Sequence, residues 1–148
     1  MILRILLLLA ALAFASVADA RNFRWATQGD PTSLDPHAQN ENLTNQVNAM
    51  VYEALLQYDK DMKLVPWLAT SWENPAPNTW IFRLRRNVKF SDGTPFTADD
   101  VVFSFERVKG TAGSFKLYAT DSGLPRRIDD YTVEFTTASP MAMTDFAR

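Results

Sequence analysis

Apolar and polar residues alternate along parts of the chain with a period of two, and this alternation predicts three strands. The segments are residues 22–27, 79–85 and 131–137. The residues expected on the buried faces are Phe23, Trp25 and Thr27; then Trp80, Phe82 and Leu84; then Tyr131, Val133 and Phe135. A turn at Asp129 and Asp130 precedes the third strand.

A helical period begins at Asn42. Leu43, Val47, Met50, Val51, Ala54 and Leu55 recur at helical spacing and predict an apolar face over about three turns. Asn42 or Thr44 is suited to cap this helix. The segment that follows, residues 58–79, mixes turn residues with apolar anchors such as Trp67 and Trp72. Its aspartates 59 and 61 lack the glycine and glutamate of a calcium loop, so we interpret them as a solvated turn.

A second helix is predicted from the stretch "TPFTADDVVFSFERV", in which Thr97 stands three residues before Asp100. This is the spacing of a capping box, with an acid replacing the usual Glu or Gln. Ala98, Val101, Val102, Phe105 and Val108 would form the apolar face. Asp99 and Asp100 would then point to solvent and stabilise the helix start rather than form a catalytic acid pair. Phe103 lies off the apolar face, where we expect a second contact with a loop or a neighbouring lobe.

The amino terminus has the pattern of a secretory signal. Arg4 is followed by an apolar run over residues 5–14 and a small-residue site at Ala18–Asp19–Ala20. The run is shorter than the ~20 residues that span a bilayer. We therefore expect residues 1–20 to be a cleaved signal peptide and Arg21 to begin the mature protein.

Composition excludes several classes of partner and chemistry. The chain has no cysteine, which excludes disulfides, thiolate metal sites and a lipid-modified cysteine anchor. Its net charge is -2 with acids and bases interspersed, so neither nucleic acid nor a membrane surface is an expected partner. The mature product is expected to be soluble, without a direct membrane anchor.

The motifs of common active sites are missing from the sequence. His37 is the only histidine, which is a poor basis for a zinc site and makes a turn residue the better interpretation. No G-x-S-x-G elbow and no phosphate-binding glycine loop occurs. The sequence thus predicts no catalytic residue, no metal site and no cofactor, and it favours an α+β fold because strands and helices do not follow a βαβ rhythm.

Five segments, in this order, resemble one protein family: "RWATQGDPTSLDPH", "VYEALLQYD", "LVPWLATSWE", "TWIFRLRRNVKFSDGTPFTADDVVFSFERV" and "IDDYTVEFTT". Together they resemble the amino-terminal part of family 5 solute-binding proteins, the peptide-binding components of bacterial ABC importers. The resemblance implies part of the amino-terminal lobe of a two-lobed, type II-like periplasmic binding protein, with a mixed sheet and flanking helices. It also implies that residues 21–148 are the opening portion of a longer, truncated domain.

By the same resemblance, the protein would capture a peptide or related solute in the periplasm and deliver it to permease subunits in the inner membrane. The loop "HAQNEN" would line the cleft, so Asn40 and Asn42 are the expected ligand-binding positions, since amides bond peptide groups without a charge preference. The alternative for Asn42 is the helix cap. Tyr118 corresponds to an aromatic residue that packs on ligand. Two other hypotheses stay open: a secreted hydrolase with catalytic residues outside these 148 positions, and a non-functional fragment.

Overall fold

A computed structural model describes Arg24, residues 26–113 and residues 115–142, and for Tyr118 it describes the backbone alone. The predicted signal peptide and its cleavage site lie outside the described residues. So does most of the strand predicted over residues 22–27. Its described members Arg24, Ala26 and Thr27 have an irregular conformation.

The described part of the chain contains three helices and six strands, which we number in chain order. The helices are α1 (Asn42–Asn48), α2 (Ala98–Gly110) and α3 (Lys116–Asp121). The strands are β1 (Leu56–Tyr58), β2 (Leu64–Pro66), β3 (Ala69–Ala76), β4 (Thr79–Leu84), β5 (Arg126–Asp129) and β6 (Thr132–Thr136). None of these helices is long and apolar enough to cross a membrane.

The main sheet has the strand order β3-β4-β6-β5, with every described ladder antiparallel. Phe82 of β4 pairs with Val133 of β6, and two residues further along the ladder Trp80 pairs with Phe135. Because alternate residues share a face, these side chains cover one side of the sheet. Phe82, Val133 and Phe135 are completely buried there. The strands predicted over β4 and β6 are therefore confirmed.

Helix α2 packs on this face of the sheet, as its pattern predicts. Ala98, Val101 and Val108 are buried. The Phe105 ring packs edge to face on the Phe135 ring, with the ring centroids 4.8 Å apart. Phe103, which points away from the sheet, is 64% exposed. Its expected second contact is therefore not a buried one within the described residues.

The helix predicted from Asn42 is shorter than its apolar spacing indicates. It ends at Asn48, where the amides of Val51 and Tyr52 both bond the Asn48 carbonyl and close the last turn. The predicted three-turn helix is wrong because the chain turns at residues 49–51 and then pairs elsewhere: the amide of Ala69 donates to the Leu55 carbonyl at 2.9 Å. Pairing with a distant segment thus buries Leu55, and the apolar spacing over 50–55 does not continue a helix.

Glu41 occupies the N-cap position of α1, so neither Asn42 nor Thr44 caps it. The buried face of α1 is also polar, formed by Thr44 and Asn48, whereas Met50 and Val51 just beyond the helix are exposed. Thr44 is accommodated there because its hydroxyl accepts the amide of Thr32 at 3.1 Å and donates to Glu41 at 3.0 Å.

Residues 58–79 contain strands that were not predicted, because turn residues and apolar residues are mixed along this segment. β1 and β2 pair around a turn in which Asp59 Oδ1 accepts the amides of Asp61 and Lys63, each at 2.9 Å, so this carboxylate serves the turn. β3 then forms one edge of the main sheet, with register shifts between Ala69 and Ser71 and between Glu73 and Ala76. These irregularities interrupt the period of two and explain why no strand is evident in the sequence.

Candidate functional site

The side chains of Asn40 and Asn42 are both exposed, at the entry to α1. The Asn40 side-chain oxygen accepts from Asn45 Nδ2 at 2.9 Å, and the Asn42 oxygen accepts from Gln46 Nε2 at 3.1 Å. Each amide oxygen is therefore engaged along α1. An amide NH₂ group is a hydrogen-bond donor, which suits the carbonyl oxygens of an extended peptide.

The segment before Asn40 is a turn tied to helix α2. Arg107 donates from its two terminal nitrogens to the Asp35 carboxylate, Nη1 to Oδ1 at 2.9 Å and Nη2 to Oδ2 at 2.6 Å. The same guanidinium lies 2.7 Å from His37 Nδ1, and the His37 amide donates to Asp35 Oδ1 at 3.0 Å. His37 is thus a turn residue, as predicted.

These contacts determine the protonation of the turn. The hydrogen bonds from Arg107 hold the pKa of the Asp35 carboxyl well below its usual range, and the His37 amide acts in the same direction. Burial lowers the pKa of His37, and the positive charge of Arg107 lowers it further, while Asp35 opposes the shift. Since Arg107 can only donate, the bonded form of His37 is the neutral imidazole with Nδ1 as acceptor.

Tyr118 lies in α3, far in sequence from the turn at Asp35 and His37. The backbone of Gly113, just before α3, approaches it so closely that a Cβ on Gly113 would lie 2.4 Å from the His37 carbonyl oxygen. The amide of Lys116 then bonds the Gly113 carbonyl at 3.1 Å as α3 begins. The fold therefore brings the backbone at Gly113, which precedes the helix carrying Tyr118, against the turn that leads to Asn40.

An open groove of about 540 Å³ lies beside α1, lined by residues 26–31 and Val47. The sequence does not indicate this groove, because its lining comes from a loop of glycine, proline and small polar residues. Asp35, Arg107 and Gly113 also have no role assigned by sequence. The only signal is that Asp35 and Arg107 fall within the motifs "SLDP" and "FSFERV".

Asp99 and Asp100 stabilise the start of α2 and do not converge on a cleft. Asp100 Oδ2 accepts the Thr97 amide at 2.7 Å and the Thr97 hydroxyl at 3.2 Å. The amide of Asp100 faces the Thr97 side chain, so both halves of the predicted capping box are present. Asp99 is exposed and forms an ion pair with Arg127, with 3.0 Å between Asp99 Oδ2 and Arg127 Nη1. That partner is not evident in the sequence.

Among the described residues, no three His, Asp or Glu side chains lie together at metal-binding distance.

A family model confirms the resemblance stated above. The model for bacterial extracellular solute-binding proteins, family 5 Middle, matches residues 63–147, which is more than half of the chain. The chain belongs to family 5 of the bacterial extracellular solute-binding proteins.

Individual relatives show what this family contains. The chain is 34% identical over 129 residues to the periplasmic oligopeptide-binding protein OppA of Escherichia coli, covering 74% of this chain and 24% of OppA. It is 38% identical over 105 residues to the nickel-binding periplasmic protein of E. coli, covering 68% of this chain and 20% of that protein. The chain thus spans about a quarter of the length of these curated relatives.

The fold agrees with solved structures of the family. Haemophilus influenzae OppA in complex with the peptide RPPGFSPFR matches with a TM-score of 0.69 and 34% identity, covering 75% of this chain and 26% of that one. The predicted α+β class is confirmed: the chain forms part of a mixed α+β domain, and its structural neighbours are two-lobed periplasmic binding proteins.

Proposed function

We propose that this chain belongs to the periplasmic solute-binding component of an ABC importer that captures peptides and delivers them to a membrane permease. The observation that carries the proposal is membership of family 5, whose relatives are binding proteins. Peptide is the favoured solute because one relative is an oligopeptide-binding protein and another is solved with a nonapeptide. The exposed amides of Asn40 and Asn42 offer donors to a peptide backbone.

The proposed binding mechanism is enclosure rather than catalysis. A peptide lying along the entry to α1 would place its carbonyl oxygens against these amides and its apolar groups against the Tyr118 segment. Each such hydrogen bond adds about 0.5–1.5 kcal/mol net, which does not offset the ~4–15 kcal/mol lost on immobilising a ligand. The remaining contacts must come from an opposing wall that closes over the ligand.

Titration of the protein, expressed from the whole reading frame that encodes it, tests the proposed ligand. We expect micromolar or tighter binding to at least one member of a di- to pentapeptide library or to RPPGFSPFR. Ni²⁺ is titrated separately, because a nickel-binding relative makes a metal the second candidate. Binding of Ni²⁺ with no peptide affinity would refute the peptide proposal and favour that second solute.

We also propose that residues 1–20 direct export and are removed. Intact-mass measurement of the periplasmic product should give a chain that begins at Arg21, since Ala18 and Ala20 form the small-residue site. A product that retains residues 1–20 would contradict the proposed localisation signal.

A further inference from the structure

The turn at residues 35–38, here called the LDP turn, is held by side chains and backbone far away in sequence. Arg107 of α2 binds Asp35 through two hydrogen bonds and contacts His37. Tyr52 donates to the Leu34 carbonyl at 3.1 Å. Gly113 fits against the carbonyls of His37 and Ala38 only because it has no side chain. Three distant residues therefore converge on one short turn.

The LDP turn is also the first of two attachments of the segment 38–42. At the other end of that segment, Glu41 Oε2 accepts the hydroxyls of Thr32 and Thr44 at 3.2 and 3.0 Å, and Asn40 is bonded by Asn45. Loss of the first attachment would leave Asn40 fixed from one side only.

The geometry points to Arg107 as a positioning residue for solute binding. Its hydrogen bonds to Asp35 and its contact with His37 hold the Asn40–Asn42 segment in position beside the backbone that leads to Tyr118. This inference rests on the proposed function. Arg107 acts through the LDP turn, without touching the solute itself.

Burial and geometry separate this role from a general contribution to stability. The Arg107 and Asp35 side chains are 39% and 35% exposed, and ion pairs so exposed add little to the stability of a fold. A bidentate guanidinium–carboxylate pair does fix orientation, however. Binding depends on such preorganisation, since a ligand must otherwise order the loop itself.

Arg107→Gln tests the inference, with Arg127→Gln as the matched control. Arg127 is another partly exposed arginine that bridges two carboxylates, Asp99 and Asp130, but it lies away from the LDP turn. In the protein made from the whole reading frame, we expect R107Q to weaken binding of the tightest peptide from the screen at least about tenfold. The unfolding midpoint should fall no more than in R127Q. Arg107→Lys keeps the charge but not the bidentate geometry. Its peptide affinity should lie between those of R107Q and the unmodified protein.

A second pair of variants reaches the LDP turn without changing charge. Gly113→Ala places a methyl group against the His37 carbonyl and must displace the turn, whereas Gly110→Ala meets nothing within 4 Å. We expect G113A to weaken peptide binding and G110A to leave it unchanged. In both R107Q and G113A, amide hydrogen exchange at His37 and Ala38 should accelerate, because their acceptors are atoms of Asp35.

The outcomes distinguish the inference from the function on which it rests. If the unmodified protein binds no peptide, the proposed function is refuted and the inference with it. If the unmodified protein binds peptide and R107Q and G113A bind it within twofold as tightly, the inference alone is overturned. Equal losses of peptide affinity in R107Q and R127Q would also overturn the inference, since the effect would then come from general destabilisation.

Discussion

At the scale of single residues, the LDP turn shows how neighbouring charges set a protonation state. His37 is held neutral by burial and by Arg107, and Asp35 is held ionised by the hydrogen bonds from Arg107. Both carry a lowered pKa, so for both the unfolded chain takes up a proton at a higher pH than the folded chain does.

Stability is therefore expected to fall as pH falls, in two windows. The contribution of His37 is complete above its usual pKa of 6.5 and is lost as pH drops below it; that of Asp35 is lost below 3.8. Urea melts of the unmodified protein between pH 8 and 5, compared with His37→Asn, would measure the first window. His37 is the only histidine of these 148 residues, so the variant should lose the part of this slope that they contribute. An unchanged slope in H37N would contradict the lowered pKa.

The start of α2 tests a second pair of residues. Thr97→Ala should cost about 1 kcal/mol of unfolding free energy through the lost cap. Asp99→Asn should cost less, because it removes only screened interactions with the helix dipole and with the exposed Arg127. Denaturant melts of the two variants give the comparison, with a larger loss for D99N as the contradicting result.

At the scale of elements, helix α2 is held to the sheet by one side of its surface. Phe105 contacts the Phe135 ring, whereas Phe103, two residues earlier on the same helix, is mostly exposed. Phe105→Ala should therefore destabilise the protein by about 3 kcal/mol, the lower end of the range for buried Phe because Phe105 is only half-buried. Phe103→Ala should stay within about 0.5 kcal/mol. Equal losses in denaturant melts would show that Phe103 is buried against a further part of the protein.

At the scale of the whole molecule, the chain's share of its relatives' length governs what it can bind. Residues 21–148 supply few donors to a ligand, while relatives are about four times as long as the matched region. We predict that residues 21–148 alone show no measurable affinity in calorimetric titration against the di- to pentapeptide library. The protein from the whole reading frame is the positive control. A micromolar dissociation constant for residues 21–148 would show that no opposing wall is required.

The sequence alone determined the features that depend on local pattern. The period of two in β4 and β6, and the spacing of Thr97 and Asp100, are visible in the local sequence, and the structure confirms the elements that they predict. Family membership also followed from the order of short motifs along the chain, and the family model confirms it.

Only the tertiary structure decided which local signals are overridden and which distant residues meet. The apolar spacing after Asn48 favours a helix, but the chain turns there and Leu55 bonds Ala69 of β3 instead. The pairing of Asp35 with Arg107 joins positions 72 apart, and the fit of Gly113 against His37 depends on the path of the intervening chain. Such contacts form because packing the helix on the sheet brings these segments together. No periodicity in the sequence encodes that distance, so the contacts of the LDP turn with Arg107 and Gly113 could not be predicted from the order of residues.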